Sequence, residues 1–566
     1  MDRQLINGYV PNIAGREGWA VADSGLRIPG ASGERAKNSG LQRARAGDAT
    51  HMIQCNYAFS AATTASANGL FVRASLYTYR AIGKHMGAGR LRIVGVLLLI
   101  SGVCVFDLAT LRDGHGWGDD FAQYLMHARN LVEHRPYAQT GYVYNKLAAD
   151  VGPRSYPPGF PVLLALPYAI WGLNWQALKS LSVIGLTVSL AGFAALVWRD
   201  LATGPLLLLL AAVGLNPRVW LIKENIGSDL VFLMFVSIAL LTMKWAMGRS
   251  GGNPLLIGLA VAITSFCAMA TRTVGAVLPA AFVLTDIIRH RRIRAVSWSV
   301  MGFSVGLIAL QAKLVGLGEA SYLDQFHGLP PVLPNLQTYS VAFELFWAEP
   351  HDLMIARVII LMTAPLAIWG FYSRIRRQIE PMDAFAVLYV ASLLIFPTTQ
   401  GARFLLPMFP LYLIYVMTGF EIAHARHPRV ALAGGVLLAI LASGAYGIAY
   451  SRLLKPRTTF ANPEFRELCT FLRTRFPPGT TAVFAKPRAL SLLADQPAAR
   501  YPLTNDAGEM QENFAALHAE LLVTSTDTEG DFEYDHVYLR HFIDATGPPL
   551  IYDNGRYAVY LIGPHQ

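Results

Sequence analysis

The chain has 566 residues, of which 53% are hydrophobic and only 15% are charged, whereas soluble domains carry about 25% charged residues. Its net charge of +10 is uneven: residues 1–90 hold 11 Lys/Arg against 5 Asp/Glu, and residues 456–566 hold 9 against 14. In between, basic residues cluster in short loops separating membrane-length apolar runs, which is positive-inside patterning and not a nucleic-acid signal.

Residues 1–85 are rich in Gly, Ala, Ser, Asn and Arg without a sustained apolar period, and read as a disordered extension. Met86-Gly-Ala-Gly-Arg-Leu-Arg has the form of a membrane-protein start, so Met86 stands beside Met1 as an alternative start of translation. A transmembrane module is expected over 86–455. Its first span, 93–111, follows Arg90 and Arg92, which places that end in the cytoplasm. The polar segment 112–158 then lies outside. Within it, Phe121, Tyr124, Leu125, Ala128, Leu131 and Val132 recur at helical spacing and predict an amphipathic helix over 119–134.

Residues 159–173 are apolar but short and carry Pro161 and Pro167, so they read as an interfacial or re-entrant piece. Skipping them puts spans near 177–198, 204–221, 227–247, 254–271, 273–288, 296–316, 355–372, 383–398, 404–422 and 430–450. Arg199, Lys244, Arg289 to Arg294, Arg374 to Arg377 and Arg426 then all fall in the cytoplasm. That gives about eleven spans, with twelve or thirteen as the alternative arrangement. A second outer loop covers 317–354. The acidic tail, 456–566, predicts a small α/β domain on the outer face: strands at Thr481–Ala485 and Leu521–Thr524, a helix from Pro463, and a hairpin over 550–562 turning at Asp553-Asn554-Gly555.

Four outer-side motifs carry charge. Gly118-Asp119-Asp120-Phe121 offers adjacent carboxylates, one for substrate and one for a structural task; a helix N-cap is the ordinary use of such an Asp. Lys223-Glu224-Asn225-Ile226-Gly227-Ser228-Asp229 is either a solvated link or an acidic site element. Arg272, between two apolar runs, is either a snorkelling cation or a phosphate partner. Gln400-Gly401-Ala402-Arg403 poses the same choice. Cys55, Cys104, Cys267 and Cys469 have no metal or redox spacing, and no phosphate-binding loop, zinc-hydrolase helix or nucleophile elbow is present.

Asp119-Asp120-Phe-Ala-Gln-Tyr after the first span resembles the acidic motif of the GT-C membrane glycosyltransferases, in particular the branch with protein O-mannosyltransferases and lipid A aminoarabinose transferases. Arg154-Ser-Tyr156-Pro-Pro-Gly-Phe-Pro161, Glu224-Asn-Ile-Gly-Ser-Asp229 and Arg403-Phe-Leu-Leu-Pro-Met-Phe-Pro410 resemble later motifs of that branch, in the same order. The likeness covers about 90–420, and the usual Asp-Glu is here Asp-Asp. It implies a polytopic α-helical fold in a bacterial inner membrane and a sugar donor on a polyprenyl phosphate. It further implies inverting transfer, on the extracytoplasmic face, to a hydroxyl of a lipid, glycan or protein. By that resemblance Asp119 is the general base with Asp120 beside it. Arg403, Arg272 and Lys223 hold the donor phosphate, and Glu224, Asp229, Arg154, Tyr156 and Gln400 orient the acceptor or their neighbours. Glu224 and Asp229 would also hold a divalent metal if one is used. A transporter or flippase of lipid-linked sugars is the rival, disfavoured because no internal repeat is visible and the charges gather on one face.

Overall fold

The computed structural model describes residues 89–249, 251–315, 329–399, 401–454, 462–527 and 532–563. The expectations for 1–85, for Gln400 and for 317–328 of the second outer loop lie outside these residues. The chain divides into two compact units at Val94/Gly95. The described part of one is the opening of the first helix; everything below concerns Gly95 onward.

Among the described residues, nine helices are long and apolar enough to cross a membrane: Gly89–Ala109, Trp175–Leu196, Asp229–Met247, Pro254–Thr271, Thr273–His290, Ala295–Lys313, Leu353–Arg377, Met408–Arg426 and Pro428–Leu453. About eleven were expected, and the two remaining stretches, 204–221 and 383–398, are also helical but broken or short. Thr203–Gly214 and Pro217–Lys223 meet at a 48° bend and count as one broken span at most. The break has a local cause: Asn216 caps a new helix by accepting from the Arg218 and Val219 amides, and Pro217 opens it. Pro381–Ile395 has only 15 residues, short of the roughly 20 that cross the hydrocarbon. Gly159–Trp171 is a single helix of 13 residues and likewise too short to span.

Two close approaches set the geometry that matters later. At Gly185 an added Cβ would lie 2.8 Å from the Leu230 carbonyl, so this glycine lets Trp175–Leu196 seat against the start of Asp229–Met247. At Gly159 a Cβ would lie 2.7 Å from the Ala270 backbone, which brings the end of the first loop against the helix end that carries Arg272.

The soluble part is a six-stranded sheet in the order β1-β3-β2-β4-β6-β5. Five strands come from the tail: β2 (Thr481–Val483), β3 (Ala498–Ala499), β4 (Ala519–Ser525), β5 (Leu550–Asp553) and β6 (Tyr557–Leu561). The tail strands, the Pro463–Arg475 helix and the β5–β6 hairpin agree with the sequence expectations. The sixth strand, β1 (Tyr142–Val143), belongs to the first loop and pairs in parallel with β3. The loop is therefore built into the sheet of the tail. Its helix, Asp120–Val132, shares a hydrophobic core with that domain: Phe121, Leu125 and Met126 cluster with Phe465, Leu490 and Leu522.

That helix is not amphipathic in the expected sense. Phe121 to Ala128 and Asn130 are all buried. Its buried polar side chains organise the loop that wraps it. Asn130 donates to the carbonyls of Pro136, Tyr137 and Gln139, Gln123 donates to the Arg154 carbonyl at 2.5 Å, and His127 Nε2 accepts from the Tyr156 amide at 3.2 Å. Buried backbone groups need such partners, which explains polar residues on a core helix.

Candidate active site

Asp119 stands at the N-cap of the Asp120–Val132 helix yet makes no cap hydrogen bond there. It caps a different helix: Oδ1 accepts from the Ala489 amide at 3.1 Å, in the first turn of Pro487–Ala494 in the soluble domain. Its Oδ2 is buried, has no hydrogen-bond partner and lies 3.9 Å from Arg488 Nε. Burial pushes the Asp119 carboxyl above its ordinary pKa, against the opposing pull of Arg488 and Lys486.

Asp120 turns the other way, as successive helix residues do. Its Oδ1 accepts from the Tyr156 hydroxyl at 2.7 Å and from Arg488 Nη1 at 3.5 Å, and its Oδ2 accepts from Arg403 Nη1 at 3.1 Å. Burial alone would raise this carboxyl; Arg403, Arg488 and the Tyr156 bond outweigh it and hold the pKa at about 2. The two neighbours thus have opposite electrostatics, which is how paired carboxylates acquire distinct roles.

Arg403 continues the network. Its Nε and Nη2 both donate to Asp229 Oδ2, at 3.2 and 3.0 Å, while Arg272 pairs with Asp229 Oδ1. The result is an alternating row, Arg272, Asp229, Arg403, Asp120, Arg488. Asp229 is 3% exposed and Arg403 34%, so the middle cation is the one that faces outward. Tyr124 lines the same region, its hydroxyl 3.0 Å from Ser228 Oγ and its ring against Tyr156.

The structure therefore gathers Asp119, Asp120, Tyr156, Asp229, Arg272 and Arg403. Lys223 and Glu224 make their contacts elsewhere. Lys223 Nζ donates to Glu224 Oε1 at 2.9 Å, to the Asp107 carbonyl and to Thr110; Lys179 donates to Glu224 Oε2 at 3.3 Å. That cluster ties the end of the first helix to the broken one. Arg154 contributes its carbonyl to Gln123, while the residue itself is exposed.

Arg488 is the residue the sequence reading missed. It sits in Ala485-Lys-Pro-Arg-Ala-Leu-Ser-Leu-Leu, an unremarked helix start some 370 positions from the acids, where no sequence signal marks it.

The donor set does not suit a divalent cation. The gap between Asp120 and Asp229 is filled by the Arg403 guanidinium. Among the described residues no three His, Cys, Asp or Glu side chains converge as a metal would require.

These features define a multi-pass helical membrane protein with an acid and arginine cluster where its helices meet a soluble domain. The particular fold is shown by comparison. The structure of ArnT from Cupriavidus metallidurans bound to undecaprenyl phosphate matches with a TM-score of 0.50 at 13% identity, over 83% of this chain and 99% of that one. The archaeal oligosaccharyltransferase AglB from Archaeoglobus fulgidus, in complex with an inhibitory peptide and a dolichol-phosphate, matches with a TM-score of 0.53 at 10% identity, over 80% of this chain and 72% of its own. The same oligosaccharyltransferase with Zn and sulfate gives 0.52 at 11% identity, over 82% and 73%. Both are GT-C proteins, and this chain has the GT-C fold. No protein-family model and no curated protein matches the sequence.

Proposed function

We propose that the protein is a membrane glycosyltransferase that moves a sugar from a polyprenyl phosphate to an acceptor hydroxyl on the extracytoplasmic face of a bacterial inner membrane. The observation that carries this reading is Arg403, about one-third exposed and held between Asp120 and Asp229, together with a buried Asp119 oxygen on the adjoining residue that no hydrogen bond occupies. The lipid phosphates in the ArnT and AglB structures support a carrier of that class. The orientation is supported by helix polarity. Asp229 opens its helix and Lys244 lies in its last turn; Arg272 precedes a span whose last turn has Arg289; Arg403 precedes one whose last turn has Arg426. The cluster thus lies opposite the basic ends, which positive-inside topology puts in the cytoplasm.

The chemistry follows from the charges. The acceptor oxygen attacks the anomeric carbon and gives its proton to Asp119 Oδ2, whose raised pKa suits it to that task. The bond from that carbon to the phosphate oxygen breaks, and the polyprenyl phosphate leaves with the electron pair. Attack opposite the leaving group inverts the carbon. Arg403 and Arg272 stabilise the charge on the departing phosphate. Asp120 and Asp229 hold Arg403 in place. The acceptor is a lipid, glycan or protein hydroxyl.

The test uses the purified protein in detergent with a panel of polyprenyl-phosphate sugars and a membrane extract as acceptor. Free polyprenyl phosphate is followed by mass spectrometry. Release by the wild type, reduced about 10²- to 10⁴-fold in Asp119→Asn with donor binding kept, supports the transferase and its base. Bound donor with no release of polyprenyl phosphate points instead to the rival transporter of lipid-linked sugars.

A further inference from the structure

Arg488 is fully buried, yet it belongs to the soluble domain and reaches into the acid loop. Nη1 donates to the Tyr156 hydroxyl at 2.6 Å and to Asp120 Oδ1 at 3.5 Å, and Nη2 donates to the Pro153 carbonyl at 3.1 Å. The guanidinium lies over two rings of the loop, 4.5 Å from the centre of Tyr142 and 4.9 Å from that of Tyr156. The loop backbone is shaped around it. Gly152 adopts φ +103, and a Cβ there would lie 3.3 Å from both Arg488 Nη2 and the Tyr156 hydroxyl. The next residue in the chain, Ala489, supplies the amide that holds Asp119.

From this geometry we infer that Arg488 is a positioning residue for the transfer reaction, so that the soluble domain completes the active site. The inference rests on the transferase reading above.

Two physical effects make one cation decisive here. Asp119 and Asp120 are adjacent, and both are mostly buried; two such carboxylates ionise together only if a positive charge faces both. Arg488 faces both, and Lys486 adds its charge at Asp119. Arg403 meets Asp120, and the bond that Asp119 makes goes to a backbone amide. The contacts are also graded. Arg488 donates to Asp120 and to Tyr156, while its Nε and Asp119 Oδ2 face each other at 3.9 Å with no hydrogen bond to either. Its field lowers the Asp119 pKa without consuming the lone pair that would accept a proton.

The full-length protein in detergent tests this with Arg488→Met and Arg488→Lys, by kcat and KM for the donor across pH. The Met variant is expected to lose about 30-fold or more in kcat with KM within about 3-fold, within the range a positioned base supplies. Its acidic limb should move to higher pH by about one unit, since the opposing cation is gone. Lys keeps the charge but not the fork, so it should restore the pH profile and only part of kcat. Wild-type kinetics in the Met variant overturn the inference. So does a loss of kcat with an unmoved acidic limb, accompanied by a matching fall in Tm, which marks a purely structural residue. Hydrogen exchange over Gly118–Val132 provides an arm that needs no substrate. If the wild type releases no polyprenyl phosphate, the transferase reading fails, and this arm decides the clamp alone: faster exchange in the Met variant supports it, and unchanged exchange overturns it.

Discussion

Arg403 grips Asp229 with two donors on one carboxylate oxygen, Nε at 3.2 Å and Nη2 at 3.0 Å, which leaves Nη1 free to reach Asp120 across the chain. A lysine cannot reproduce this: its ammonium is a point charge without a planar fork. Arg403→Lys is therefore expected to fold and to keep most donor affinity, while kcat falls about 10- to 100-fold, as for removal of one aligned electrostatic donor. Steady-state kinetics on the purified variant check this, and an unchanged kcat would show that the fork is not used.

Asp120 links stability to pH. Its folded pKa is about 2, below its ordinary 3.8, so the group contributes stability that is present above 3.8 and is lost as pH falls toward 2. The shift corresponds to roughly 2 kcal/mol at most, lessened by partial exposure. Thermal unfolding of the wild type and Asp120→Asn between pH 5 and 2 measures it. The gap between the two should close as the solution is acidified, and a constant gap would contradict the assignment.

Gly185 tests how tightly the site is braced from within the bundle. Valine there would push into the Leu230 carbonyl and displace the helix whose first residue is Asp229. Gly185→Val is expected to cost about 1–3 kcal/mol, the usual range for overpacking. It should also weaken turnover, because Asp229 anchors Arg403. The control is Gly204→Val, where a Cβ meets nothing within 4 Å. Equal melting temperatures for the two variants would dismiss the close approach.

What was legible in the sequence was local. Hydropathy marks apolar helices wherever they fall, and the turn residues Asp553, Asn554 and Gly555 announce the hairpin within a dozen positions. The acid pair and Arg403 stood out because charge at a membrane surface is scarce. Glu224 and Asp229, five residues apart, defied local reading: the backbone breaks between the Pro217–Lys223 and Asp229–Met247 helices and sends them to separate clusters. β1 is two residues long inside a polar loop, too short for any alternation to register. Arg488 was illegible for another reason: its partners lie more than 300 positions away.

The pairing of β1 with β3 imposes an order on biosynthesis. Tyr142 and Val143 leave the ribosome hundreds of residues before Ala498 and Ala499, their partners. Contacts between such distant segments form late, after the intervening chain has been made. The acid loop must therefore wait on the membrane surface while the remaining spans insert, and it is locked only when the tail arrives. A chain that stops before Arg488 would hold every span and both carboxylates and still lack the guanidinium, the Ala489 amide and the β3 strand that hold their loop.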